Sequence, residues 1–134
     1  QNRFSPALGK KAAEIFARLT QGRYEKVFLN REMQLSAQET GSVTPYEADL
    51  LSAGTADQLY LALRLAIAET ALPADDPAPL VLDDALVNFD DARLSLALDY
   101  LAELGRTRQI LLFSCQSRES ALMAGRSGVN LISL

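Results

Sequence analysis

The sequence predicts an α/β fold: a mostly parallel sheet flanked by helices, with a small antiparallel β part near the N-terminus. Three observations predict it. Beyond residue 50, strand-like apolar runs alternate with helical ones, and the order strand, helix, strand, helix, strand implies parallel pairing with right-handed crossovers. Residues 24–46 instead alternate apolar and polar side chains in short runs, the pattern of antiparallel strands. Finally, 134 residues with 49% hydrophobic content bury one core, so a single lobe over 1–134 is expected.

Taken in order, Ser5 and Pro6 start a helix in which Ala7, Leu8, Ala12, Ile15, Phe16 and Leu19 recur at helical spacing to Thr20. Gln21, Gly22 and Arg23 break it. Residues 24–30 and 32–38 read as two strands, with a weaker third near 42–46. Residues 56–72 are apolar nearly all round and predict a buried helix. Pro73, Pro77 and Pro79 lie in an acid-bearing stretch and predict a surface connection. Residues 79–82 then form a short buried strand, and 90–104 an amphipathic helix that Gly105 is suited to cap. Residues 110–114 read as another buried strand, 118–124 as a short helix and 129–134 as a final strand.

Chemistry concentrates at two places. Ser52, Gly54 and Thr55 stand at the mouth of the long apolar helix. Unpaired N–H groups and the positive end of the macrodipole make such a mouth a phosphate receptor, and Gly54 would let a phosphate approach the backbone. The same hydroxyls equally serve as helix caps. The second place is Asp83 and Asp84, where a buried strand ends in two carboxylates. Adjacent like charges raise each other's pKa unless a cation or hydrogen bonds offset them, and Mg²⁺ is an economical cation. Asp90 and Asp91 precede a helix, where the macrodipole favours acids without any ligand. Asp83, Asp84 and Gln116 all fall at carboxyl ends of predicted parallel strands, where such sheets bind ligands.

These segments resemble a known family over most of the chain. LSAGTADQLYLALRLA, residues 51–66, resembles the ABC signature in its SMC-like form, where LSGGT is followed by a Gln-Leu-x-Leu-Ala-Leu-Arg-Leu-Ala helix. VLDDALVNFD, residues 81–90, resembles a Walker B strand and its D-loop, and ILLFSCQS, residues 110–117, the switch strand. AAEIFARLTQGRYEKVFLN, residues 12–30, is similar to the segment where the coiled coil returns to the head. The chain thus looks like the C-terminal lobe of an ABC-type ATPase head, a P-loop NTPase half of the SMC, RecN and SbcC class, nearest to SbcC-like and YhaN-like proteins. Within the lobe, residues 1–22 would be the end of the coiled coil or entry helix and 23–48 the β strands. Residues 49–134 would carry signature helix, Walker B, D-loop and switch strand.

That resemblance implies a head-to-head sandwich with ATP and Mg²⁺ as cofactors. Ser52, Gly54, Thr55 and Gln58 would contact ATP held by another head. Asp83 would serve Mg²⁺, Asp84 the attacking water, Asn88 and Asp90 the contact across the dimer, and Gln116 the γ-phosphate. Gln58 on its own reads equally as a solvated helix residue. Arg64 corresponds to a position associated with coupling to the coiled coil, or is simply a surface charge. Three positions depart from the pattern: Ala53 replaces Gly, Asp84 replaces the usual Glu as in the YhaN-like group, and Gln116 replaces the switch His in a chain with no His. Gln can hydrogen-bond a phosphate but cannot titrate near neutrality, so slow hydrolysis is expected.

No G-x-x-x-x-G-K-[ST] occurs in the 134 residues, and Gly9-Lys10-Lys11 lacks its upstream Gly and following hydroxyl. The family builds its heads from two sequence halves separated by a coiled coil, so the expected partners are an N-terminal half carrying Walker A, a second head in a homodimer, and by analogy DNA during repair. Net charge is −4, with seven Lys/Arg against five Asp/Glu in residues 1–48 and six against twelve in 49–134. Arg3, Lys10, Lys11, Arg18, Arg23, Lys26 and Arg31 are a thin candidate for a nucleic-acid surface, and read more simply as solvated charges. The sequence carries neither a long uncharged apolar run nor a leader pattern, so no membrane association is expected. Cys115 has no partner for an internal disulfide, consistent with a reducing cytoplasm, and is expected to be a small buried hydrophobe. Two other classes are carried: a non-hydrolysing ABC-like dimerisation or regulatory module, and a receiver-like phosphoacceptor, which lacks its expected Lys because none follows Lys26.

Overall fold

Helix α1 (Pro6–Leu19) buries Leu8, Ala12, Ile15, Phe16 and Leu19 along one stripe, as the spacing predicts. This computed structural model describes residues 6–30, 32, 34–71, 75 and 78–134. The helix ends in a paired closure in which Gly22 N–H donates to Ala17 O at 2.7 Å and Gln21 N–H to Arg18 O at 3.4 Å. That closure puts Gln21 at φ 54 and Gly22 at φ 84, and only the second residue is conformationally suited to it.

Strands β1 (Tyr24–Leu29), β2 (Leu35–Glu39) and β3 (Tyr46–Glu47) form an antiparallel sheet in the order β1-β2-β3. The second strand starts later than 32 because Asn30 and Gln34 close the connection. Asn30 N–H donates to Gln34 O at 3.1 Å, Gln34 N–H to Asn30 Oδ1 at 2.9 Å, and the Asn30 amide to Gln34 Oε1 at 2.8 Å. Val27, Leu29, Leu35 and Ala37 turn inward onto α1. Phe16 meets the Tyr24 ring with centroids 4.9 Å apart.

Helix α2 (Ala53–Ala71) follows a 3-10 turn at Ala48–Leu50 and begins three residues earlier than 56. The predicted end at Leu72 lies outside the described residues, as do Ser5, Pro73 and Pro77. Leu59, Leu61, Ala62, Leu65 and Ala66 are buried, but Tyr60 and Ile67 are exposed, so burial is not complete around the helix. Strand β4 (Leu80–Asp83) and strand β5 (Ile110–Phe113) pair in parallel, with helix α3 (Asp91–Leu104) in the crossover between them. Helix α4 (Ser117–Met123) closes the chain's regular structure. The α/β architecture, the parallel pairing and the antiparallel part all agree with the prediction.

Three expectations are corrected. The strands at 79–82 and 110–114 are buried on one face only. Leu80, Leu82, Ile110 and Leu112 face the helices, whereas Val81 (46%), Leu111 (40%) and Phe113 (45%) form an open apolar face. Residues 129–134 do not form a strand: they pair with neither outer edge of the β4–β5 sheet, and Leu131, Ile132 and Leu134 are exposed. Gly105 does end α3, but in right-handed geometry with φ −63, its N–H donating to Leu101 O at 2.8 Å. A left-handed cap is therefore absent there.

Helices α1, α2 and α3 share a polar seam. The Tyr100 hydroxyl donates to Glu69 Oε2 at 2.6 Å, Lys11 lies 3.4 Å from Glu69, and Arg18 stacks over the Tyr100 ring while pairing with Glu103 at 2.6 Å. Burial first, then the Glu69 carboxylate, pushes the Tyr100 phenol above its ordinary range.

Candidate functional site

Ser52 caps α2: its Oγ accepts the Thr55 N–H at 3.2 Å and donates to Thr55 Oγ1 at 2.8 Å. The cap reading of these hydroxyls is therefore realised. Thr55 is buried, whereas Ser52 stays exposed at the helix mouth. Gln58 is only 3% exposed, which corrects its reading as a solvated helix residue. Its Nε2 donates to Leu19 O at 2.8 Å and so ties the last turn of α1, while its Oε1 accepts from Arg93 Nε at 3.2 Å. Arg64 reaches β4, donating from Nη2 to Val81 O at 3.3 Å.

Residues 84–90 leave the C-terminal end of β4 in a tight turn. Asp84 takes φ 53, a left-handed conformation that Asp tolerates better than most side chains, and its N–H donates to Phe113 O at 2.9 Å. Asp83 and Asp84 are both exposed at this end. Cys115 follows β5 into the same place, exposed rather than buried as expected, with its thiol 3.6 and 3.7 Å from the two Asp84 oxygens. The negative charge of Asp84 and its hydrogen bond hold the thiol above its ordinary pKa, which disfavours the thiolate at neutral pH.

Asn88 is exposed in the turn, and Phe89 behind it is buried. Asp90 caps α3 by accepting the Arg93 N–H at 2.8 Å, which with the Arg93 charge lowers its carboxyl below the usual aspartate range. The helix-cap reading of Asp90 thus holds whatever else it does.

Gln116 precedes α4. Its N–H donates to Ser114 Oγ at 3.1 Å and its Oε1 accepts from Arg118 Nε at 2.9 Å. Arg118 also donates to Leu86 O at 3.2 Å, to Val87 O at 3.1 Å and to Asp91 Oδ1 at 3.4 Å. An open depression lined by Val87, Phe89, Cys115, Gln116, Ser117 and Arg118 results.

The structure therefore gathers Asp83, Asp84, Cys115 and Gln116 at one end of the parallel pair, with residues 84–90 beside them. Ser52, Gly54, Thr55 and Gln58 gather around the mouth of α2, linked to Asp90 through Arg93. Sequence reasoning missed Arg93 and Arg118, although both are cations in the first turn of a helix, where the macrodipole disfavours them. That mismatch was the available signal. Asp83 and Asp84 fit the part of a Mg²⁺ site that one or two carboxylates supply when waters and phosphates complete the shell. Among the described residues, no three His, Cys, Asp or Glu groups are arranged to hold a metal ion by themselves.

The basic candidates near the N-terminus are largely spent on ion pairs: Lys11 with Glu14 and Glu69, Arg18 with Glu103, and Arg23 with Glu39. Arg3 and Arg31 lie outside the described residues. No described helix is long and apolar enough to cross a membrane.

No family model matches the chain. It is 34% identical over 129 residues to the uncharacterised protein YhaN of Bacillus subtilis (strain 168), a match covering 96% of this chain but only 13% of that relative's length. A structure reported under the structural biochemistry of ATP-driven dimerization and DNA-stimulated activation of SMC ATPases superposes with a TM-score of 0.70 at 22% identity, covering 96% of this chain and 83% of that one. The Smc head domain of Pyrococcus furiosus, with an extended coiled coil and bound to the C-terminal domain of ScpA, gives 0.63 at 22% identity over 87% of this chain and 30% of that one. The SMC head domain of Thermotoga maritima gives 0.65 at 18% identity over 89% and 41%. With the strand-end acids, the signature-like helix and these matches together, the chain has the fold of an ATPase head of the SMC class.

Proposed function

We propose that this chain is the C-terminal half of an SMC-like ATPase head that binds and slowly hydrolyses ATP when two heads pair. The observation that carries the reading is the end of the parallel pair, where Asp83 and Asp84 meet the segment bearing Gln116. A parallel sheet is ordinarily covered on both faces, and the open face of Val81, Leu111 and Phe113 supports completion by an N-terminal half carrying Walker A. Two buried polar atoms, Arg108 Nη1 and Glu119 Oε1, have no hydrogen-bond partner among the described residues, which supports the same completion.

In this reading Ser52, Gly54 and Thr55 offer the mouth of α2 to the γ-phosphate of a nucleotide held by the opposite head. Gln58 supports that mouth from within, since both ends of its amide are already engaged. Asp83 holds a Mg²⁺ water, and the ion, when bound, neutralises charge on the phosphate oxygens. Asp84 orients the attacking water, and Asn88 and Asp90 lie on the pairing surface. Arg118 engages the Gln116 carbonyl oxygen, which leaves the amide N–H groups as the end available to a phosphate oxygen. The γ-phosphate thus meets a donor. By analogy with the class, DNA is the partner on which paired heads would act.

The test is ATP turnover by the full-length protein, with Asp84→Asn as its partner measurement. A fall of about 100-fold in kcat is expected for Asp84→Asn, a loss in the range seen when a group positioned at the reacting centre is removed. Equal rates for the two proteins would overturn the hydrolytic reading and leave a passive pairing module.

A further inference from the structure

The mouth of α2 holds a cation. The Arg93 guanidinium donates from Nη2 to Thr55 Oγ1 at 3.1 Å, from Nε to Gln58 Oε1 at 3.2 Å and from Nη1 to Asp90 Oδ2 at 2.6 Å. Its three nitrogens thus join two segments more than thirty residues apart: the signature-like helix and the turn that follows β4. The positive end of a helix is an unfavourable place for a guanidinium, and the Asp90 carboxylate offsets that charge. A Cβ built on Gly54 would lie 2.8 Å from both Cζ and Nη1 of Arg93. Long side chains usually swing clear of such a contact. Here the guanidinium is pinned by three partners, so yielding to a methyl group breaks those bonds.

We infer that Arg93 is the positioning residue that ties the signature-like mouth of α2 to Asp90, and that Gly54 is glycine to seat this guanidinium rather than only to admit a phosphate. The inference deepens the proposed ATPase reading and rests on it. Ser52 and Asp90 both belong to the proposed pairing surface, and a rigid link between them through the buried Thr55 makes both contacts across the dimer form or fail together. Arg93 acts through Thr55, Gln58 and Asp90, and touches no reacting atom. A lysine cannot replace it, because one ammonium does not span three acceptors in a fork.

The experiment is a double-mutant cycle in the full-length protein, comparing wild type, Gly54→Ala, Arg93→Ala and the double variant, with Arg93→Lys alongside. Each is measured for the ATP concentration giving half-maximal head pairing and for its thermal midpoint without nucleotide. Gly54→Ala is expected to raise the half-maximal ATP concentration about tenfold in the wild-type background but less than about threefold beside Arg93→Ala, a coupling typical of residues in contact. Arg93→Lys is expected to keep its thermal midpoint within about 2 °C while pairing as poorly as Arg93→Ala, which a merely structural role would not produce. An equal cost of Gly54→Ala in both backgrounds would overturn the inference. Should no variant pair with ATP, the ATPase reading falls, and the cycle in thermal midpoint still decides the contact: additive shifts overturn it and coupled shifts sustain it.

Discussion

Replacing Gln58 by leucine isolates the tie between the end of α1 and the mouth of α2. The amide is buried, with Nε2 on Leu19 O at 2.8 Å and Oε1 on Arg93 Nε at 3.2 Å. Leucine fills a similar volume, so no large cavity opens and the loss is one of hydrogen bonding. Leu19 O belongs to the last turn of α1, whose carbonyls have no partner within the helix. Leaving it unpaired beside a buried side chain costs about 1–3 kcal/mol. The Arg93 side chain is 28% exposed, so its Nε regains water and contributes at most about 1 kcal/mol more. The sum is about 1–4 kcal/mol, or a fall of roughly 3–12 °C in the head's melting transition. Scanning calorimetry of the full-length protein reads it. A melting transition unchanged within about 1 °C would refute the reasoning, because the amide would then be solvated in the folded state as its helical position alone allows.

Phe16→Ala removes a fully buried ring that stacks on Tyr24, and should lower stability by about 3–5 kcal/mol in urea unfolding. The Asp90 carboxyl is held below the ordinary aspartate value, first by the Arg93 N–H and then by the Arg93 charge. Its contribution to stability is therefore complete above the unfolded value near about pH 4 and disappears as pH falls through the lower folded value. Melting temperature against pH should lose that part of its acid slope in Asp90→Asn. Cys115, raised by the neighbouring Asp84 charge, should alkylate slowly at neutral pH with a midpoint above that of a free thiol. Asp84→Asn should move the iodoacetamide profile to lower pH; an unmoved profile would separate the two side chains in solution.

Much of the fold was legible because local pattern carries it. The stripe Leu8, Ala12, Ile15, Phe16 and Leu19 names a helix and its buried face at once, and the helix at Asp91–Leu104 follows from the same periodicity plus an Asp at its cap. The strand ending in Asp83 and Asp84 was equally plain, since two adjacent acids halting an apolar run mark where a strand leaves the core for solvent. The open face of Val81, Leu111 and Phe113 was not. Alternation tells which residues share a face, but whether that face is covered depends on what lies across it. Residues 129–134 failed for a related reason: strand-like composition makes a strand only where tertiary placement brings the segment alongside an edge, and these residues pair with neither edge of the β4–β5 sheet.

Composition and spacing by themselves determined the helices, the two kinds of β segment and the clustering of hydroxyls and carboxylates near segment ends. Tertiary structure alone decided that Gln58 turns inward to Leu19, that Arg93 bridges α2 to Asp90, and that Arg118, bonded to the carbonyls of Leu86 and Val87, also engages the Gln116 side chain. The physical reason is range. Periodicity reports forces between residues a turn apart, whereas a guanidinium chooses its acceptors only after the chain has brought segments tens of residues apart into hydrogen-bond reach.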